Sequence, residues 1–411
     1  MDEEVESFDV FEDVNISDCE EDTRSELKFD EVIESDGERL KRERIAEALA
    51  DGNSNLQTWQ RLALEEHGLV NDDLRREIWP LLLEVDPTDS EKVPLLSDLI
   101  NHCEYNQVVL DVNRSLKRFP PGIPYKQRLA LQDQLTVLIL RVIMKYPHLR
   151  YYQGYHDVAI TFLLVVGETV SFRIMERLST DHLHECMEAT MEKTSYRLSY
   201  IYPLIQKVDK DLYKVMDGAM LGTIFALPWY LTWFGHSLKR YSDVVRLYDF
   251  FLASPPLMPI YAAASLVIHR REEVLETGCD MALIHCLLSI IPDDMDFEAV
   301  LRRASKLYVK YPPEKLESEV KIRVKREAER QKREERRVRS RLNKNKTVWR
   351  RVYGCIPDWL FLHYRNRYGL AFVAATVLFG LYAYFRAADD NNNLLHRYIQ
   401  LFTDYRNQER Q

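Results

Sequence analysis

Leu131, Leu135, Leu138 and Val142 recur at i, i+4, i+7 and i+11. That spacing gathers them on one side of a helix and would scatter them over both faces of a strand. The same helical character runs from Thr58 to about Pro313. Strand-like alternation is rare in that stretch, and thirteen glycines in 411 residues leave little material for tight β-turns. An all-α body over residues 58–313 is the expectation. Pro124 suits the first turn of the helix that carries the leucines, and Pro147 ends it. "AITFLLVVGE", which follows, is apolar all round and reads as a helix buried on every side. "GTIFALPWYLTWFGH" and "PLMPIYAAASLVIHR" read the same way. No internal repeat is present. With 46% hydrophobic residues the chain can bury a large core, in one big domain or two smaller ones.

Charge divides the rest. The chain carries −9 overall, but residues 1–40 hold 17 acidic and 3 basic side chains while residues 321–351 hold 15 basic and 4 acidic. Residues 1–50 read as an acidic, largely disordered region with a helix over "GERLKRERIAEALA". Residues 314–360 read as a basic helical linker and juxtamembrane segment. The six cysteines are scattered, with no Cys-x-x-Cys pair, which points to a reduced body without a disulfide framework or zinc cluster. The acidic start "MDEEVESFDV" lacks the apolar core of a signal peptide.

"GLAFVAATVLFGLYAYF", Gly369 to Phe385, contains no charge. Arg365 and Arg367 precede it and Arg386 follows. A buried helix would account for the run alone, but its place outside the body and between arginines favours one transmembrane helix over 368–386. It falls a little short of the ~20 residues an average bilayer asks for, which fits a thin membrane such as the endoplasmic reticulum. The upstream basic excess keeps the large domain cytosolic and leaves the short tail, 387–411, on the far side. Trp349, Tyr353, Trp359, Tyr364 and Tyr368 supply interfacial aromatics. The basic composition of the neck would suit nucleic acid. Its position beside a span instead favours anionic headgroups or a passive linker, so the expected partner is the lipid bilayer and not nucleic acid.

Two polar clusters interrupt the apolar body. In "YYQGYHDV", Tyr151 to Val158, Gln153 stands in a tight connection where Gly154 permits unusual backbone angles. Asp157 lies in the first turn of the next helix, where a carboxylate is favoured. Read locally, Gln153 ties up loose backbone groups and Asp157 caps. In "VVLDVNRSLKRFPPGIP", Asp111 and Arg114 form an i, i+3 pair of the ordinary surface kind, with Lys117 and Arg118 making the patch basic. His156 and Asp157 are neighbours in sequence and are not expected to face each other. His182 and Cys186 lack a second pair of metal ligands. Gly-rich phosphate loops, nucleophile elbows and zinc-protease motifs are missing.

Taken in order, "LRREIWPLLL" with Arg75 and Trp79, Asp111-x-x-Arg114, Tyr-Tyr-Gln153-Gly, "WFGH" and "RLYDFFL" form a series. The series resembles the TBC domain, the all-helical module of Rab GTPase-activating proteins, over roughly residues 65–312. The layout with a short C-terminal span resembles members anchored in the endoplasmic reticulum. The resemblance implies that Arg114 is an arginine finger inserted at the nucleotide of a Rab in its GTP form. It implies that Gln153 is a second finger, replacing the Rab's own glutamine in positioning water. Asp111, Tyr151, Gly154 and Asp157 become framing or contact positions, and Arg75, Trp79, Arg246 and Asp249 structural ones. The chain would have no cofactor of its own, because GTP and magnesium belong to the Rab. It would not be an enzyme by itself but would complete its partner's active site in trans.

Such chemistry needs these residue types. Phosphoryl transfer spreads negative charge over the phosphate oxygens, and a forked, permanently charged guanidinium neutralises it. A primary amide both donates and accepts, so it grips a water from two sides. The family reading places the activity on a Rab of the early secretory pathway, the Rab-one class, in endoplasmic-reticulum-to-Golgi traffic. The alternative is a membrane-anchored scaffold that binds a Rab without accelerating hydrolysis. Tyr152 stands where many relatives carry cysteine, and His156 occupies a variable position, so both bear on Rab choice. "ESFDVFED", Glu6 to Asp13, faintly resembles the motif read by VAP receptors, although Ser7 stands where an aromatic is expected; an acidic solvated tail explains it equally.

Overall fold

A computed structural model describes residues 34–52, 54–88, 91–94, 96–114 and 125–354, the last fourteen of these as backbone alone, with isolated positions at 376, 378 and 379. The 368–386 span, the 6–13 motif and the Lys117–Arg118 pair lie outside the described residues, apart from those isolated positions. The chain forms two units, residues 1–326 and 327–411. The elements among the described residues are helical, and no strand occurs there.

The first unit begins with α1 (Asp36–Ala50), which starts at a capping box. Ser35 Oγ accepts from the Glu38 amide and the Glu38 carboxylate accepts from the Ser35 amide. Ile45 of α1 is buried in the common core and Lys41 pairs with Glu65 at 2.7 Å. The packed body therefore includes residues ahead of Thr58. Next come α2 (Leu56–Leu64), capped by Asn55, and α3 (Asp72–Leu82), capped by Asn71. They are followed by α4 (Leu96–Ile100), α5 (Tyr105–Arg114) and α6 (Tyr125–Lys145). In α6, Leu135, Leu138 and Val142 are buried, and Leu131 packs against the same core from its rim.

The central element is α7 (Tyr155–Thr180), which packs against α3 and α6. It is long and apolar enough to cross a membrane, but its side chains are mostly buried inside the body. That is the fate expected of "AITFLLVVGE". Gly167 breaks it midway, with φ 77° and ψ 175°. Then follow α8 (Glu192–Leu198), α9 (Ile201–Val208), α10 (Lys210–Gly218), α11 (Leu227–Leu231), α12 (Tyr241–Leu252), α13 (Met258–His269), α14 (Arg271–Glu276), α15 (Met281–Ser289) and α16 (Phe297–Lys310). "PLMPIYAAASLVIHR" becomes α13, buried along almost its whole length against α9, α11 and α16.

"GTIFALPWYLTWFGH" departs from expectation. It yields a single 3₁₀ turn and the five-residue α11, after which the chain turns sharply at Trp233 (φ 47°) and Phe234 (φ 63°). Two successive left-handed non-glycine residues cost about 1–3 kcal/mol each. Both rings are almost fully buried, Trp233 edge-on to Tyr248 and Phe251 and Phe234 stacked on Trp229, so core packing overrides the apolar pattern's preference for helix.

α16 is followed by α17 (Pro313–Gly354). The basic linker expected over 314–360 is anchored at its start, where Leu316 and Val320 are in the core. Glu317 accepts hydrogen bonds from Tyr196, at 2.7 Å, and from Tyr200. Arg323 lies 3.3 Å over the Tyr202 ring and pairs with Asp217 at 3.1 Å.

Candidate functional site

The last turn of α5 faces two ways. Val108, Asp111 and Val112 point inward, and Arg114, one turn beyond Asp111, points out. The Asp111 side chain is 1% exposed and that of Arg114 51%, with Nη1 to Oδ1 at 3.5 Å. An i, i+3 pair at a surface would contribute little; here the carboxylate is rooted in the body while the guanidinium stays half in water.

The second segment is the turn from Leu149 to Gly154. The Tyr151 amide donates to Glu104 Oε2 at 3.0 Å, and the buried Tyr152 hydroxyl donates to the Leu231 carbonyl at 2.9 Å. Gly154 then adopts φ 108°, and a Cβ there would stand 2.8 Å from Thr232 Cγ2. Both its angle and its neighbour require glycine. The flanking residues are held, and Gln153 between them is exposed. Among the described residues no side-chain hydrogen bond is made by the Gln153 amide. The local expectation that it ties up loose backbone groups is therefore not met, because the turn closes on Tyr152, Tyr155 and backbone contacts without it.

Tyr151 joins the two segments. Its hydroxyl donates to Asp111 Oδ2 at 3.0 Å, and Gln107 Nε2 donates to the same oxygen at 3.2 Å. Burial, with the negative charge of Asp111 behind it, pushes the Tyr151 hydroxyl far above the usual phenol range, so it stays a neutral donor. The third segment, Leu231–His236, contributes the Thr232 contact and a histidine: His236 Nδ1 lies 3.0 Å from Asp157 Oδ2. Asp157 keeps its place in the first turn of α7, but it is buried and bonded across 79 residues of chain, which the reading as a simple cap did not foresee. Nor do His156 and Asp157 ignore each other. His156 Nε2 stands 3.7 Å from Asp157 Oδ1, and its Nδ1 is 3.0 Å from the Tyr151 hydroxyl. Of the positions that sequence reading missed, Glu104, Thr232 and His236 act through tertiary contacts and Gln107 through the i, i+4 spacing of α5; only "WFGH" marked one of them.

A separate buried cluster ties α3 to α12. Asp249, fully buried, accepts from Arg75 Nε (3.1 and 3.2 Å) and Nη2 (3.1 Å), from Trp79 Nε1 (2.8 Å) and from the Leu69 amide (3.0 Å). Burial alone would discourage the Arg75 charge, but Asp249 and Asp72 outweigh it and hold the guanidinium more firmly protonated than usual. Arg246 Nε and Nη2 grip Glu298 at 2.6 and 3.1 Å, and Nη1 and Nη2 cap the Ala63 and Glu65 carbonyls. Cluster members satisfy one another rather than facing a ligand. Among the described residues, no group of three or more His, Cys, Asp or Glu side chains is placed to hold a metal ion.

The model of the Rab-GTPase-TBC domain matches residues 72–275. TBC1 domain family member 20 of Homo sapiens is 47% identical over 275 residues, which is 67% of this chain and 68% of that protein. The GTPase-activating protein gyp10 of Schizosaccharomyces pombe is 32% identical over 61% of this chain and 68% of its own length. Among solved structures, the Ypt/Rab-GAP domain of Gyp1p superposes with a TM-score of 0.55 over 67% of this chain and 99% of that domain, at 16% identity, a likeness of fold. With its motifs set on that helical framework and 47% identity over 275 residues to a relative of which it covers 68%, this chain belongs to the Rab-GTPase-TBC domain family.

Proposed function

We propose that this chain accelerates GTP hydrolysis by a Rab GTPase, supplying Arg114 and Gln153 in trans. The observation that carries the reading is the linked pair of turns. Arg114 projects from a buried Asp111 and Gln153 stands on a turn whose Tyr151 bonds that same aspartate, so two solvent-facing side chains share one rigid support. The Rab brings GTP and magnesium. Arg114 neutralises charge developing on the phosphate oxygens, and the Gln153 amide holds the attacking water in line. Each side chain is carried by a backbone segment already fixed to the body, which lowers the ordering cost at the moment of reaction. The names of the relatives support activation of a Rab-type GTPase. The reading includes a tether at the endoplasmic reticulum through 368–386, supported by the uncharged run Gly369–Phe385 between arginines, and a partner in the early secretory pathway that such a location would bring within reach.

Single-turnover GTP hydrolysis across a Rab panel tests this. One or a few Rabs are expected to respond strongly, and the response should vanish in Arg114→Ala and Gln153→Ala. A Rab that binds tightly with unchanged hydrolysis would establish the scaffold instead.

A further inference from the structure

We infer that His156 is a positioning residue for Arg114, acting through Tyr151 and Asp111. The inference rests on the reading of Arg114 as a finger and adds to it a residue in the next shell of contacts.

Asp111 as a carboxylate can only accept. Tyr151 has a single hydroxyl proton, and Asp111 Oδ2 lies 3.0 Å from that hydroxyl. Because the phenol stays protonated, the proton goes to Asp111. His156 Nδ1 lies 3.0 Å from the same phenol oxygen, so it must be the donor there and carry a hydrogen. The bonds then run one way, from His156 to Tyr151 to Asp111, ending on the carboxylate that faces Arg114 at 3.5 Å. With its lone pair occupied by His156, the phenol has Asp111 as the outlet for its proton. Asp111 Oδ2 is thus held from two sides, by Tyr151 and Gln107, which leaves Oδ1 toward the guanidinium. On the far side, Asp157 Oδ1 faces His156 Nε2 at 3.7 Å and its Oδ2 bonds His236. The imidazole therefore sits between the Tyr151 phenol oxygen and the Asp157 carboxylate. Bonds arranged head to tail in a buried network polarise one another, and a finger that must enter a partner's site benefits from a fixed origin.

The test uses the full chain with the GTP-loaded Rab of the panel that responds most. His156→Leu removes the donor, and Tyr151→Phe removes the hydroxyl through which it acts. Each is expected to lower kcat roughly tenfold, about the worth of one lost supporting hydrogen bond, while KM stays within twofold. The double variant should be no slower than the worse single, because both break the same chain of bonds. His156→Asn, whose amide nitrogen replaces Nδ1 as a donor, should recover most of the rate. Unchanged kcat in either single variant, an additive double, or an Asn variant as slow as the Leu variant would overturn the inference. Tyr151→Phe against wild type carries the test if His156→Leu does not fold. Arg114→Ala in the same assay separates the two levels: full stimulation there refutes the finger itself, whereas lost stimulation there beside an intact His156→Leu refutes only the positioning.

Discussion

At the scale of single residues, the site rests on what each side chain is tied to and what it leaves in solvent. Arg114 and Gln153 are exposed, yet Asp111 and Tyr151 behind them are bonded into the body. Arg114→Ala is expected to lose about 10³–10⁵ of the stimulation, the range for an arginine supplied in trans. Arg114→Lys should recover little, because an ammonium lacks the planar fork. Gln153→Ala should cost about 10²-fold, comparable to one lost transition-state hydrogen-bonding group; rapid-quench measurement of released phosphate reads all three. Gly154→Ala probes the support instead. A side chain at φ 108°, 2.8 Å from Thr232 Cγ2, should destabilise the fold by roughly 1–3 kcal/mol and lower kcat by moving Gln153. Denaturant midpoints and kinetics on the same sample check both effects.

At the scale of elements, two clamps tie helices of the body together away from the candidate site. Asp249 gathers Arg75, Trp79 and the Leu69 amide between α3 and α12. Asp249→Ala would leave the Arg75 charge buried without its main partner and should cost about 3–5 kcal/mol. Asp73→Ala, which breaks only the exposed pair with Arg76, should stay within about 0.5 kcal/mol. Urea titration distinguishes them. The second clamp is Glu317 at the start of α17. Hydrogen bonds from Tyr200 and Tyr196 hold its carboxyl at about 2, against an ordinary 4.5. Because the folded value is the lower one, the stabilisation is fully present above pH 4.5 and is lost as pH falls from there through about 2. Glu317→Gln should therefore flatten the acid limb of stability in that window, seen as a smaller drop in urea midpoint between pH 6 and pH 3.

At the scale of the whole molecule, the proposed tether and the proposed chemistry are separable. Removing residues 355–411 should release the protein from membranes on fractionation while leaving kcat and KM toward a soluble GTP-loaded Rab within about twofold, since every residue of the candidate site lies between Glu104 and His236. The sequence by itself determined the helical class, because a period of 3.6 in the apolar residues can be buried by a helix alone. It also determined the family, because Arg75, Trp79, Asp111, Arg114, Gln153, Gly154, Arg246 and Asp249 stand in separated motifs of fixed order. Local pattern misread "GTIFALPWYLTWFGH", where buried Trp233 and Phe234 force a turn on a stretch that looks like a helix. Local pattern also gave Gln153 and Asp157 the wrong neighbours. Only the tertiary structure decided that Gln153 is left in solvent, that Asp157 belongs to His236, and that His156 reaches Arg114 through Tyr151 and Asp111. The physical reason is range: helix periodicity is written within a few residues, whereas a hydrogen bond across 40 or 79 residues of chain exists only once packing has brought its ends to 3.0 Å.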